Sequence, residues 1–333
     1  MRLKTQLRLK TKDEPYEIHH TKRFTLPPEF TNIKKNILIA YLCLAGICLI
    51  WGSTFLVLKI GVSEFPPFLF AGLRQTLAGS LLTAFMIMVM GAKWPGGVQI
   101  LKQMMGGFLL ITLGNGLISF AVHYVPSSVS AIICSAMPVI VILLNLTINR
   151  SELPNATIIF GVLAGMGGIT MVFSEHLNDF SNQNYTASIV LIFVATFSWA
   201  CASFLLKKSN ETINPFLNAG MQMFFGGLFC LPLSLMFDDY SVTTWSPTML
   251  YSLVYLILIG SVAAQAMYSY ALTQLPLTIA SMYSYVNPLV AMFLGWLVLS
   301  EKLNIKIAFA ILITVSGIYL VNRGYQQLIQ SKS

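Results

Sequence analysis

CLIWGSTFLVLKIGVSEFPPFLFAGLRQTLAG, residues 48–79, returns as TFSWACASFLLKKSNETINPFLNAGMQMFFGG, residues 196–227. At a constant offset of 148, Trp51 falls on Trp199, Lys59 on Lys207, Pro67-Phe68-Leu69 on Pro215-Phe216-Leu217, and Gly79 on Gly227. Arg74 falls on Gln222, the exchange among these that alters charge. Chance similarity scatters its identities, whereas this one keeps them in register, so the chain is read as a duplication. The match continues downstream: Ser119–Pro126 lines up with Ser269–Pro276, and Met137-Pro138 with Asn287-Pro288, at offset 150. Gly168-Ile169 pairs with Gly317-Ile318 at offset 149, shifts that need only small loop insertions.

The composition sets the solvent. Of 333 residues, 56% are hydrophobic and 10% charged, against roughly a quarter charged in soluble domains. Most of this chain therefore faces something other than water. Net charge is +8, but the basic residues gather in the N-terminal tail and beside apolar runs, so no nucleic-acid partner is expected. The five cysteines lie inside apolar runs without metal spacing and read as free thiols. No metal or cofactor is expected.

Apolar runs of helix-spanning length lie near 36–60, 67–91, 103–122, 127–149, 155–173, 186–206, 215–237, 248–271, 277–299 and 304–322. A helix needs about 20 residues to cross about 30 Å of hydrocarbon. The expectation is an all-α integral membrane protein of ten transmembrane helices. The organisation read from the sequence is a basic tail (1–35), a first five-helix repeat (36–173), a polar linker (174–185), a second repeat (186–322) and a C-terminal tail (323–333). The tail shows no cleavable signal pattern and is expected to lie disordered at an anionic cytoplasmic surface. Five is odd, so the second repeat enters the membrane inverted. With the N-terminus inside, the tail, Lys93, Lys102, Arg150, Lys207, Lys208, Arg323 and Lys332 are internal, leaving Lys59, Lys302 and Lys306 outside. The positive-inside rule favours that orientation, with both termini cytoplasmic. Inverted repeats with a midplane site between them are a transporter architecture.

The chain resembles the EamA-type members of the drug/metabolite transporter superfamily over all ten helices. The resemblance rests on Trp51-Gly52 through Phe55 and its counterpart from Trp199, and on Pro67 followed by Arg74. It rests also on the Ala121–Pro126 and Ala271–Pro276 connections, and on mid-helix Pro138 and Pro288 followed by Glu152 and Glu301. It implies a secondary carrier of small organic molecules, without specifying which one.

Polar and aromatic residues in the apolar runs are the candidates for a substrate site: Trp51, Arg74, Asn115, Ser119, Trp199, Gln222, Gln265, Tyr268, Tyr283 and Asn287. A charge inside hydrocarbon must find a partner. Arg74 therefore either contacts a substrate anion, snorkels outward or binds helix-end carbonyls. Pro138 and Pro288 each delete a backbone hydrogen bond mid-helix and are expected to kink it beside the cavity. Tyr283 and Tyr285, two residues apart, cannot share a face. The polar set reads either as a cavity or as hydrogen bonds between helices. Glu152 and Glu301 read as solvated helix ends beside Arg150 and Lys302. Glycines at 161, 165, 167 and 168 suit close helix packing or a dimer contact.

Enzyme signatures are missing. Asp238-Asp239 is a single acidic pair, and no HExxH, GxSxG or P-loop occurs. No carboxylate falls near mid-membrane, and His123 is the titratable candidate closest to a helix, so exchange, facilitated movement or a coupling without carboxylates is expected. The function read from the sequence is export or exchange of a small polar or zwitterionic metabolite across the cytoplasmic membrane. The partners are that substrate and membrane lipid, and the protein is a monomer or homodimer. A channel or a sensor on a carrier scaffold is the alternative.

Overall fold

The computed structural model describes residues 28–147, 154–173, 183–208, 214–299 and 305–330. Arg150, Glu152, Glu301, Lys302, most of the N-terminal tail and most of the polar linker lie outside the described residues. In chain order the helices are α1 (Pro28–Ser63), α2 (Pro67–Met88), α3 (Gly97–Tyr124), α4 (Ser127–Cys134), α5 (Met137–Thr147) and α6 (Ala156–Phe173). They continue as α7 (Gln183–Lys208), α8 (Pro215–Phe237), α9 (Pro247–Gln274), α10 (Leu277–Ala280), α11 (Tyr283–Leu299) and α12 (Ile305–Gln330). No strand occurs among the described residues. Among the described residues, seven stretches are long and apolar enough to cross a membrane: Lys35–Ser63, Pro67–Met88, Gly97–Tyr124, Gln183–Lys207, Pro215–Phe237, Pro247–Gln274 and Leu277–Leu294. Val129–Leu144 and Ala156–Gly168 are shorter apolar helices. Leu81, Phe85, Phe108, Phe197, Leu235 and Leu312 project outward from the bundle. Apolar surface on that scale requires hydrocarbon around it, which makes this an all-α membrane protein.

Helix ends follow local chemistry. Pro67 and Pro215 start α2 and α8, where a missing N–H costs nothing. Asn214 caps α8 by accepting from the Phe216 N–H at 2.9 Å. Pro66 offers α2 no side-chain cap, and Asp238, at the end of α8, replaces it. Its carboxylate accepts from the Phe68 N–H at 3.1 Å and the Leu69 N–H at 2.8 Å, and Ser234 Oγ donates to it at 2.7 Å. α3 and α9 stop because Val125 and Leu275 precede prolines and are extended. Lys59 Nζ donates to the carbonyls of Val122, His123 and Val125 at 2.7, 2.9 and 3.3 Å. Lys207 Nζ donates to Leu272 and Leu275 at 2.6 and 2.9 Å. Residues equivalent in the two copies thus satisfy the orphan carbonyls of equivalent helix ends.

Two helix pairs approach closely. α2 runs along α8, where a Cβ on Gly79 would sit 2.2 Å from the Phe224 nitrogen. α6 runs along α12, where a Cβ on Gly161 would sit 2.7 Å from the Gly317 oxygen. Gly161 and Gly165 of α6 therefore serve packing within the chain, against α12 and Tyr285.

Three features differ from the sequence reading. α1 begins at Pro28 and α12 reaches Gln330, because polar residues that end an apolar run do not end a helix. The breaks expected at Pro138 and Pro288 fall earlier, at Ser135-Ala136 and Ser281-Met282. Pro138 occupies the second position of α5, where it is tolerated, and Pro288 stays within α11. At the breaks, serine hydroxyls turn back onto carbonyls three residues earlier: Ser135 Oγ donates to Ile132, Ser281 Oγ to Thr278 and Ser284 Oγ to Ser281. Finally, α3 and α9 each contain a π-helical stretch, Phe108–Gly116 and Leu256–Ala263, whose starts lie 148 positions apart.

Candidate functional site

The π stretch of α9 exposes the carbonyl around which the site is built. Gly260 O accepts from Trp51 Nε1 at 3.1 Å and from Arg74 Nη2 at 3.3 Å. Arg74 Nε donates to Ser261 Oγ at 2.9 Å. α-Helical carbonyls are already engaged four residues on, whereas π-bulges free backbone groups and recur at functional sites. Arg74 is 4% exposed, so its guanidinium turns into the bundle and does not snorkel.

These residues border a cavity with about 80 Å³ of water-accessible space, enough for a few ordered waters or a small organic group. Of the site residues expected from the sequence, Trp51, Arg74, Asn115, Trp199, Gln265, Tyr283 and Asn287 line it. Thr54, Gln75, Cys134, Thr196, Ser261 and Ser284 join them. The sequence reading passed over these six because each is a small or neutral polar residue inside an apolar run. In the case of Gln75, its adjacency to Arg74 was the available signal.

Four rings pack together at the boundary of this cavity. Trp51 meets Trp199 at 5.5 Å, Tyr268 at 5.2 Å and Tyr283 at 4.7 Å between centroids, and Tyr268 meets Tyr283 at 5.6 Å. Cavity residues on α1 and α9 run from Trp51 towards Leu58 and from Gln265 back to Gly260. In the other direction Ile47, Ala200, Phe204, Tyr268 and Leu272 form a packed core. The rings therefore make the floor of the cavity. Asn287 borders one wall: with its side-chain amide turned so that the nitrogen faces the two carbonyls, it donates to Tyr283 O at 3.0 Å and to Cys48 O at 3.3 Å, tying α11 to α1.

Three expected residues are not brought to the wall. Gln222 Nε2 donates to Gln103 Oε1 at 2.7 Å, a buried bond between α8 and α3. Ser119 Oγ donates to the Asn115 carbonyl one turn earlier, at 2.8 Å. Tyr268 lies beneath the cavity, its hydroxyl 2.6 Å from Ser203 Oγ. In each case a protein partner satisfies the polar atom; the Gln222 and Tyr268 bonds join two helices, as polar side chains do in lipid, and the Ser119 bond stays within α3. Tyr283 faces the cavity, whereas Tyr285 donates to Val162 O on α6 at 3.2 Å. His123 lies away from the site, its Nδ1 2.8 Å from Val62 O. No group of three His, Cys, Asp or Glu with metal-binding geometry occurs among the described residues.

The duplication, the apolar helices and a polar cavity between the two copies are the setting for comparison with known proteins. The model of the EamA-like transporter family matches twice, over residues 38–174 and 186–323. The chain belongs to that family. The two matched segments are the two copies marked by Trp51 and Trp199. Relatives include "Uncharacterized inner membrane transporter YedA" of Escherichia coli (strain K12), 30% identical over 86% of this chain and 94% of the relative. An "Uncharacterized transporter" of Archaeoglobus fulgidus is 28% identical over 86% of this chain and 98% of its own length. "Protein PecM" of Dickeya dadantii is 28% identical over 82% and 91%. A solved crystal structure aligns with a TM-score of 0.71 at 15% identity, covering 89% of this chain and 99% of its own; that likeness concerns the fold alone. Family and relatives identify a multi-pass membrane transporter and point away from an enzyme.

Proposed function

We propose that this EamA-family chain is a secondary carrier that moves a small polar or zwitterionic metabolite by alternating access, as an exporter or exchanger. The observation that carries this reading is the cavity itself. Its wall combines Trp51 with its repeat equivalent Trp199, and a buried arginine with several amides, in a shell otherwise made of apolar helices. A polar pocket at the junction of two copies suits a site that rocking of one copy against the other exposes to each side in turn.

In this reading α4 with α5 forms one interrupted span and α10 with α11 another, giving ten spans in two inverted sets of five. The residues to carry substrate are Trp51, Arg74, Asn115, Trp199, Gln265, Tyr283 and Asn287. Both termini are cytoplasmic, as the distribution of Lys and Arg favours. The aromatic floor then lies on the cytoplasmic side of the cavity, so the conformation described is one closed towards the cytoplasm.

The test is counter-exchange in proteoliposomes loaded with amino acids, sugars, nucleosides or organic acids. A carrier shows saturable uptake of labelled solute that internal unlabelled solute accelerates. Flux that neither saturates nor accelerates would make the protein a channel, and binding without flux would make it a sensor.

A further inference from the structure

Away from the aromatic floor, the cavity wall gives way to an apolar layer one helical turn further on. Phe55 follows Trp51 on α1 by four positions, and Ile118 follows Asn115 on α3 by three. Ala291 follows Asn287 on α11 by four, and Ala131 precedes Cys134 on α4 by three. Residues three or four apart share a helix face, so these four stand directly beyond four residues that line the cavity. They also close on one another: Phe55, Ala131 and Ala291 form a buried cluster, with Ile118 and Cys134 packed against it. Phe55 and Ile118 border the cavity as well, so the cluster covers it. The next turn of α1 carries Lys59, half-buried, its ammonium on carbonyls at the end of α3. On α1, one apolar turn thus separates the cavity wall from a charged group.

The two copies build this layer differently. At the offsets of the duplication, Phe55 corresponds to Ser203 and Ile118 to Tyr268. Ser203 and Tyr268 are hydrogen-bonded at 2.6 Å at the floor, where Tyr268 belongs to a core that also holds Val141, the equivalent of Ala291. Phe55 and Ile118 have no polar atom with which to repeat that bond. The floor is therefore fastened by a hydrogen bond and packed rings, the cover by one phenyl ring against Ile118 and two alanine methyls. So few aliphatic partners give the ring little dispersion energy to lose on moving.

We infer that Phe55 is the lid of the cavity opposite the aromatic floor, and that withdrawal of its ring from Ala131, Ala291 and Ile118 opens the site on that side. The inference rests on the carrier reading and adds to it the element that admits solute. In the orientation proposed above, the lid faces the outside.

Cys134 reports on the lid, because it lines the cavity and packs against the Phe55 cluster. The other cysteines, Cys43, Cys48, Cys201 and Cys230, are replaced by alanine in the full chain. The quantity measured is the rate at which Cys134 reacts with a membrane-impermeant anionic thiosulfonate, added outside right-side-out vesicles. Phe55→Ala is expected to raise that rate at least about tenfold, the factor equivalent to about 1.4 kcal/mol of lost apolar burial. Phe55→Leu keeps the site apolar and filled, and should raise it by a smaller factor. Leu272→Ala, which loosens the core at the opposite end, should not raise it.

The leucine variant decides the matter if the alanine variant does not fold. An unchanged rate in a folded Phe55 variant overturns the lid, as does an equal rise with Leu272→Ala. A rise seen only with inside-out vesicles overturns its placement towards the outside. If the wild-type protein still shows counter-exchange of a solute in liposomes, the carrier reading survives those failures. Absence of counter-exchange with every solute overturns the carrier reading separately.

Discussion

Trp51 and Trp199 occupy the same place in the two copies and meet edge to face, with ring centroids 5.5 Å apart and planes at 90°. The duplicated residues thus converge on the cavity. Their surroundings differ, because Trp51 Nε1 alone donates to the carbonyl released by the π stretch of α9.

That difference separates ring from N–H. Trp51→Phe keeps an aromatic surface against Tyr268 and Tyr283, and Gly260 O retains its bond from Arg74. Its cost should be about 1 kcal/mol, that of one hydrogen bond. Trp51→Ala opens a void under the cavity and should cost about 3–5 kcal/mol. Reversible unfolding in mixed micelles measures both, and equal destabilisation would mean that the aromatic floor contributes nothing through packing.

The lysine caps form a matched pair. Lys59→Met and Lys207→Met retain most of the aliphatic stem but leave two or three carbonyls at a membrane-embedded helix end without donors. Each should destabilise by about 1.5–3 kcal/mol, the range for hydrogen bonds to charged groups, and arginine should restore most of it. A methionine variant as stable as wild type, at either position, would show that water already serves those carbonyls.

Asp238 links the end of α8 to the start of α2. Removing an N-cap costs about 0.5–2 kcal/mol, and here the loss also unfastens two helices. Asp238→Ala should therefore increase amide exchange in the first turn of α2 and lower the thermal midpoint. The neighbouring Asp239 accepts from the local Ser241 N–H at 2.9 Å, and Asp239→Ala should leave α2 unchanged. Equal protection of α2 in both variants would refute the cross-helix cap.

The all-α membrane class and the two family copies were readable because hydrocarbon thickness dictates an apolar length and Trp51/Trp199 and Lys59/Lys207 hold register. The cavity was readable only in outline. Arg74, Asn115 and Gln265 stand out against apolar neighbours, but nothing local to Gln222 says that it pairs with Gln103 and not with solute. The prolines pointed to interrupted helices, yet the interruptions fall at Ser135-Ala136 and Ser281-Met282, each earlier than its proline. The π stretch of α9 contains the carbonyl that Trp51 and Arg74 share, and that of α3 lies at the equivalent place in the other copy. They leave no compositional mark on Phe108–Gly116 or Leu256–Ala263.

Glycines of one helix give the sharpest contrast between packing and propensity. On α6, a Cβ at Gly161 would lie 2.7 Å from both Gly317 O and Val321 N, backbone atoms of α12 that cannot yield cheaply. At Gly167 on the same helix, nothing lies within 4 Å. Helix propensity alone favours alanine over glycine by about 1 kcal/mol at either position. Gly167→Ala should be neutral or slightly stabilising. Gly161→Ala should instead push α6 and α12 apart and cost more than propensity returns, a net loss of about 1–3 kcal/mol as for other overpacked sites. Thermal unfolding of the two variants side by side is the measurement. Were both alanines tolerated alike, α6 and α12 would not be in direct backbone contact, and the glycines on α6 would have to face a second copy of the chain.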